Sequence, residues 1–505
     1  MFRNPVMLLA LAITATVAVW GLVDTQGLAT IAKASTRTMF ESRGWFIMLS
    51  ATVELLVCLW LATSRFGAIK LGQDDEEPEF STVSWLTMLF AAGMGVGLLF
   101  FGAAEPLTHY LTVRNYLGAY QAPRAALLFT DFHWGLHAWG IYGITALVIA
   151  YFGFRRGCAQ LVSAPIRYMF GETGWPRVVG AACDLMAIVA IAIGLAGSVA
   201  MGVYQVQSGV NALFGWESSG VGTTATLFVA LCLAFMVPLT VDLGQGMARL
   251  SNVAMGIAML LLLFIVLAGP TRVIMSGIVD SIGVYLSGIV EQSFRTFTFA
   301  DEKVAGWFEA WTLTYMVWWL AWAPFVGVFI ARISRGRTIR EFVIGVLLVP
   351  TAFSMFWFGA FGSFGFAEAF GARSETADTI VDVVSKDINS TTFFLLDLLP
   401  FPTLSTAATA LAIFLFVVTS VVSAAYVLAM FSSGGNPDPS TRMKLIWGAI
   451  LAVLGLVMIL ANDLDAIRAI IAFGALPFVL IVVLLMVCLL KALRQERTTV
   501  ERDAR

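Results

Sequence analysis

Apolar runs of roughly twenty residues recur along this chain. They constrain it more than any other feature, because a stretch of that length crosses a bilayer as a helix with its backbone polar groups satisfied internally. The runs fall near residues 5–23, 44–63, 82–110, 126–153, 178–213, 222–241, 250–269, 305–333, 341–362, 403–432, 442–461 and 466–490. They predict an all-α integral membrane protein with twelve transmembrane helices. Of the 505 residues, 59% are hydrophobic and 12% charged, a balance that excludes a string of soluble domains. A net charge of -2, with basic residues dispersed over short loops, excludes a nucleic-acid partner and leaves membrane lipid as the expected surroundings. The five cysteines are scattered and odd in number, so no disulfide framework is expected. The run at 5–23 follows Arg3 but is longer than the apolar region of a signal peptide, and it reads as a retained span.

With the amino terminus inside, nineteen of the 30 Lys and Arg fall on the inner side, and this short-loop bias puts both termini in the cytoplasm. Two spans carry helix-weakening residues: Gly93, Gly95 and Gly97 in the third, and Ala323-Pro324 in the eighth. Matched interruptions five spans apart imply a five-plus-five inverted-repeat core, spans 3–7 and 8–12, preceded by two peripheral helices. The chain then divides into 1–75 (the peripheral helices and an acidic inner loop), 76–270 (first repeat), 271–304 (a connection carrying an amphipathic surface helix), 305–490 (second repeat) and 491–505 (a short cytoplasmic tail). The run Asp74-Asp75-Glu76-Glu77 reads as a solvated loop.

Trp318, Trp319 and Trp322 lie in one apolar segment just before Pro324. Indole faces turned into the interior of a bundle present electron density without fixed charge, which suits a desolvated quaternary ammonium or other onium group. Trp134, Trp139 and Tyr142 form a second aromatic set, the last two sharing a helix face. Alternate glycines at 93, 95 and 97 allow the third span to unwind and expose carbonyl oxygens, and hydroxyls at Thr419 and Ser420 could complete an oxygen cage with carbonyls of Ala91 and Met94. Glycines that merely pack helices closely, and hydroxyls that bond back to their own helix, are the competing readings. His133 and His137 have the spacing of a metal pair, but no carboxylate or cysteine on a second element stands out beside them, so no metal other than sodium and no cofactor is expected. Glu54, Glu105, Asp184 and Glu309 lie in or near spans, as paired structural groups or proton relays.

Three stretches resemble the betaine/carnitine/choline transporter family: Gly93-Met94-Gly95-Val96-Gly97 running on to Glu105-Pro106, His133-Trp134-x-Leu-His137-x-Trp139-x-x-Tyr142, and Trp318-Trp319-x-x-Trp322-x-Pro324 running on to Arg332, Arg335, Arg337 and Arg340. The resemblance spans essentially the whole chain. It implies a bacterial inner-membrane protein, commonly a homotrimer, that carries small onium compounds by secondary transport. By matching position, Trp134, Trp139, Tyr142 and Trp319 would form an aromatic box, with Trp318, Trp322 and Phe325 lining the substrate route. Ala91, Met94, Phe416, Thr419 and Ser420 match the family's main sodium site, and Met94 and Gly97 also border the substrate. Choline carriers of the family tend to have an aspartate where this chain has Gly97, which favours a zwitterion carrying its own carboxylate. Ile191 and Leu195 replace threonines proposed for a second sodium, Val421-Val422 follows Thr419-Ser420 where an aspartate is usual, and Met316 replaces a tryptophan.

The expected function is sodium-coupled symport of a small zwitterionic onium compound such as glycine betaine. A proton-coupled or exchange carrier for choline, carnitine, ectoine or dimethylsulfoniopropionate is the alternative within transport. A polytopic membrane enzyme using His133 and His137 is the alternative outside it.

Overall fold

The computed structural model describes residues 4–93, 95–118, 120–240, 244–370 and 374–503, and its regular elements are helices. The first half runs through α1 (Pro5–Val23), α2 (Thr25–Thr63), α3 (Thr82–Gly93), α4 (Val96–Val113), α5 (Gln121–Trp134), α6 (Leu136–Ala150), α7 (Ala164–Phe170), α8 (Trp175–Phe214), α9 (Val221–Met236) and α10 (Gly244–Ala268). The second half continues through α11 (Thr271–Ser293), α12 (Glu302–Phe308), α13 (Thr314–Ile333), α14 (Ile339–Phe370), α15 (Ser374–Lys386), α16 (Thr391–Asp397), α17 (Pro402–Ser432), α18 (Thr441–Ala461), α19 (Leu464–Ala475) and α20 (Phe478–Asp503).

Among the described residues, twelve helical segments are long and apolar enough to cross a membrane. Large apolar side chains such as Leu233, Leu260 and Leu267 stay exposed on α9 and α10, forming the belt that lipid covers. The set of twelve differs from the apolar runs at three places, one of them the run near 466–490, which is divided into α19 and α20. The set also includes Thr271–Ser293, expected as a surface helix, while the run near 82–110 is divided into α3 and α4. Helix α11 packs along α14 and α5 with Ile274 and Ile278 buried on that side, and Val279 and Leu286 stay exposed.

Two glycines with nearly the same backbone angles shape the centre. Gly95 (φ -98, ψ -144) precedes α4, and Gly135 (φ -98, ψ -142) separates α5 from α6. The second break went unread in the sequence. It is fixed by α11: the Tyr285 hydroxyl accepts from the Leu136 amide at 2.8 Å, and a Cβ on Gly135 would meet that oxygen at 2.4 Å. The eighth span corrects an expectation. Its helix is not interrupted at Ala323-Pro324; α13 runs through Pro324, and the irregularity is a π-helical turn at Glu309–Leu313. Proline removes a single amide donor, and dense packing of α13 on α6 and α8 keeps the rod intact.

The core gathers around α8, which packs on α17, α18 and α19, and around α13 against α6. On the face that carries the termini, the acidic loop is paired as well as solvated. Asp74 meets Arg155 at 2.8 Å, Glu77 meets Lys70 at 3.2 Å, and Glu76 pairs with Arg335. Arg332 clasps Glu79 and holds its carboxyl below the usual range, while Arg337 lies 4.1 Å from the Trp85 ring centre.

Candidate functional site

The breaks at Gly95 and Gly135 bring α4, α5, α8 and α13 around one small chamber, bordered by Gly95, Gly97, Phe101, Trp134, Ser198, Met201, Tyr315, Trp318, Trp319 and Trp322. Four residues expected to meet substrate are therefore ring walls of one space: Trp134, Trp318, Trp319 and Trp322. Gly97 supplies the room for one of them, since a Cβ there would lie 2.6 Å from the Trp134 ring. The chamber is small, with a cavity volume of about 40 Å³.

Trp139 and Tyr142 stand elsewhere. Trp139 meets Tyr142 edge-on at 5.7 Å, Tyr142 meets Trp319 at 5.3 Å, and Trp319 meets Trp134 at 5.2 Å, each near perpendicular. Trp134 and Trp319 form the lining, and the other two back it. Edge-to-face pairs of this kind contribute about 0.5–1.5 kcal/mol each beyond burial, enough to fix ring orientation. Trp319 is also anchored through its indole N–H, which donates to the His133 carbonyl at 2.8 Å beside the break.

Glu105 holds the chamber together. It sits on α4, fully buried, and its carboxylate accepts four donors. His133 Nδ1 donates at 2.7 Å and His109 Nε2 at 3.3 Å to one oxygen; Trp134 Nε1 donates at 2.8 Å, and the Tyr315 hydroxyl also donates, to the other. A carboxylate has about four acceptor positions, so this one is saturated. The partners fix the histidine tautomers in turn: Trp307 Nε1 donates to His109 Nδ1 at 3.2 Å, and Thr312 Oγ1 lies 2.9 Å from His133 Nε2. His133 stacks on Tyr315 with centroids 4.8 Å apart and planes 9° apart.

This arrangement corrects the reading of His133 as having no carboxylate nearby. Glu105, His109 and His133 place ligand-type atoms within 4.8 Å of one another, as a metal group would. The tautomers argue for a hydrogen-bond network instead, because both histidine nitrogens that face Glu105 carry protons. His137 does not join them. It packs on Phe132, 3.5 Å from the Thr52 hydroxyl. The sequence held a signal for Glu105, a carboxylate inside a span. Its donors were harder to find, since they come from α4, α5 and α13.

The residues expected around sodium are only partly visible. Met94 lies outside the described residues, and Ala91 is described by its backbone on α3. Phe416 is buried on α17, and the Thr419 hydroxyl bonds back to its carbonyl at 3.1 Å. Ser420 turns the other way, with its hydroxyl 3.6 Å from where a Gly95 side chain would begin. One hydroxyl of the expected pair thus reaches the helix break. Ser198 borders the chamber, while Ile191 and Leu195 are buried apolar residues of α8.

Residues 5–498 match the profile of the betaine/carnitine/choline family transporters. The chain is 38% identical to the glycine betaine transporter OpuD of Bacillus subtilis over 99% of its own length and 96% of that protein. It is 36% identical to a glycine betaine transporter of Acinetobacter baylyi, covering 91% of this chain and 69% of that one. It is 33% identical to an ectoine/hydroxyectoine transporter of Virgibacillus pantothenticus, covering 91% and 90%.

Proposed function

Because the chain belongs to the betaine/carnitine/choline transporter family, we propose that it is a sodium-coupled symporter of a small zwitterionic onium compound, glycine betaine or a close relative. The observation that carries this reading is the chamber itself: six aromatic side chains, Phe101, Trp134, Tyr315, Trp318, Trp319 and Trp322, border one space, with no charged side chain on its wall among the described residues. Desolvated cation–π contacts of about 2 kcal/mol each reach micromolar affinity when three or four act together. Gly97 leaves the space without a counter-charge of its own, which suits a solute that brings its carboxylate. Glycine betaine transporters among the relatives support the same solute class.

Coupling to sodium rests on Ser420 facing the Gly95 break from α17, where helix-end carbonyls and a hydroxyl offer hard oxygen ligands. One sodium entering across 100 mV supplies about 2.3 kcal/mol, and a tenfold gradient about 1.4 kcal/mol more, enough for roughly 500-fold accumulation of a neutral solute. We place the protein in the bacterial inner membrane with both termini in the cytoplasm, as a homotrimer. Uptake of labelled glycine betaine into proteoliposomes tests the reading. Accumulation of unaltered solute that needs an inward sodium gradient supports it, and a chemically changed solute contradicts it.

A second transport reading has one observation in its favour. Thr419 is satisfied by its own helix, leaving Ser420 as the α17 hydroxyl turned to the break. Accumulation unchanged in sodium-free buffer selects proton coupling or exchange.

A further inference from the structure

Arg468 lies on α19, and its side chain is 8% exposed. Its nearest acidic partner is Asp465 at 3.5 Å, a side chain that is itself 72% exposed. Among the described residues Arg468 Nη2 is buried without a hydrogen-bond partner. The guanidinium lies 4.4 Å from the Trp311 ring centre and 5.8 Å from that of Phe101. Phe101 is also a wall of the chamber, and Trp311 stacks on Tyr315, another wall, with centroids 6.2 Å apart. One aromatic ring therefore separates a buried, under-used cation from the onium chamber.

A purely structural arginine at this depth would be forked onto a carboxylate or onto carbonyls. The buried carboxylate of this region, Glu105, is filled by its own four donors and has no acceptor position left. Arg468 is thus held by ring faces and, through Nη1, by the exposed Asp465, and Nη2 is left unused. Nη2, a buried donor without a partner among the described residues, is what a charge-assisted hydrogen bond to an incoming carboxylate needs.

The position has a direction too. From the chamber, α4 rises through Glu105 and His109 toward Val113, and the eighth span descends from Glu302 through Trp311, both on the face opposite the termini. Helix α19 begins on that same face, and Arg468 stands at its second turn, between the surface and Phe101.

We propose that Arg468 is the carboxylate-recognition residue of this carrier: it captures the anionic end of a zwitterionic onium solute passing Phe101, so that the methylated end settles among the chamber rings. The proposal rests on the onium-transport reading and adds a specificity element to it. Aromatic rings alone bind choline and glycine betaine comparably, and Arg468 distinguishes them. A zwitterion offers the guanidinium a carboxylate on its way past Phe101, and a simple cation offers it none.

The test measures dissociation constants of glycine betaine and choline by calorimetry on the full chain in detergent, for wild type, Arg468→Gln, Arg468→Lys and Trp319→Ala. Arg468→Gln is expected to weaken betaine by about tenfold or more and to leave choline within about twofold, and Arg468→Lys to recover part of the betaine affinity. Equal weakening of both solutes, or no change in either, overturns the proposal. If Arg468→Gln does not fold, Arg468→Lys decides: its betaine-to-choline ratio rises by about threefold or more, or the proposal falls. Failure of the underlying reading looks different. There wild type binds neither solute, or Trp319→Ala leaves both unchanged.

Discussion

Glu105, which ties two rings of the chamber wall, and the Thr419-Ser420 pair, whose serine approaches the wall at Gly95, follow opposite rules. Around Glu105 every acceptor position of a buried carboxylate is met by a donor, and two of the four donors belong to rings of the chamber wall. Around Thr419-Ser420 one hydroxyl is occupied by its own helix, and the other faces a helix break. The saturated region fixes geometry, since no ring can turn without leaving a buried polar atom unpaired. The sparse region keeps oxygen atoms available for something that comes and goes. On the sodium-coupled reading proposed above, the first region would order the receptor for the solute and the second would be the place where the ion binds and leaves.

The largest expected effect breaks the saturated side. Glu105→Gln presents an amide N–H₂ to donors and leaves two of them unpaired; at about 1–3 kcal/mol each, the loss of stability is roughly 2–6 kcal/mol. Thermal unfolding in detergent reads it, and a change within about 0.5 kcal/mol would show that the network is not holding the rings. Next is Gly97→Asp. Its Cβ meets the Trp134 ring at 2.6 Å, and that ring cannot yield while its N–H is tied to Glu105. Glycine betaine affinity should fall by about tenfold, or 1.4 kcal/mol. On the sparse side, Ser420→Ala should raise the sodium concentration for half-maximal uptake several-fold, about 1 kcal/mol, and Thr419→Ala should do less, because that hydroxyl is already satisfied. If the order is reversed, the cation sits elsewhere on α17. The smallest effect belongs to Trp139→Phe, which keeps an edge-to-face partner for Tyr142 and should weaken solute binding by less than about 1 kcal/mol.

The same contrast explains what could be read from residues alone. The apolar runs gave the helices, and the tryptophans at 134, 318, 319 and 322 were legible because indole rings in a span have few other uses. Gly97 was legible by comparison with charged alternatives at that position. The ring-bearing face of α6 was visible at Trp139 and Tyr142. Which rings line the space and which stand behind them depends on the break at Gly135, and that break is fixed by Tyr285, about 150 residues away in the chain. Glu105 drew attention as a carboxylate in a span, but its saturation needs His109, His133, Trp134 and Tyr315 together. Arg468 was hidden inside an apolar run, where one basic residue at the start of a span reads as an interfacial anchor. Pairwise spacing along a helix shows which residues share a face; closure of a site by four segments does not follow from it.

The most direct test of the onium chamber is glycine betaine binding to the purified protein, comparing Trp319→Ala with Trp60→Ala. Trp60 is 44% exposed on the lipid-facing side of α2, while Trp319 is 8% exposed and borders the chamber. Loss of about tenfold or more in affinity for Trp319→Ala, with Trp60→Ala unchanged, is the predicted result. Equal losses in the two variants, or full affinity without Trp319, would contradict it.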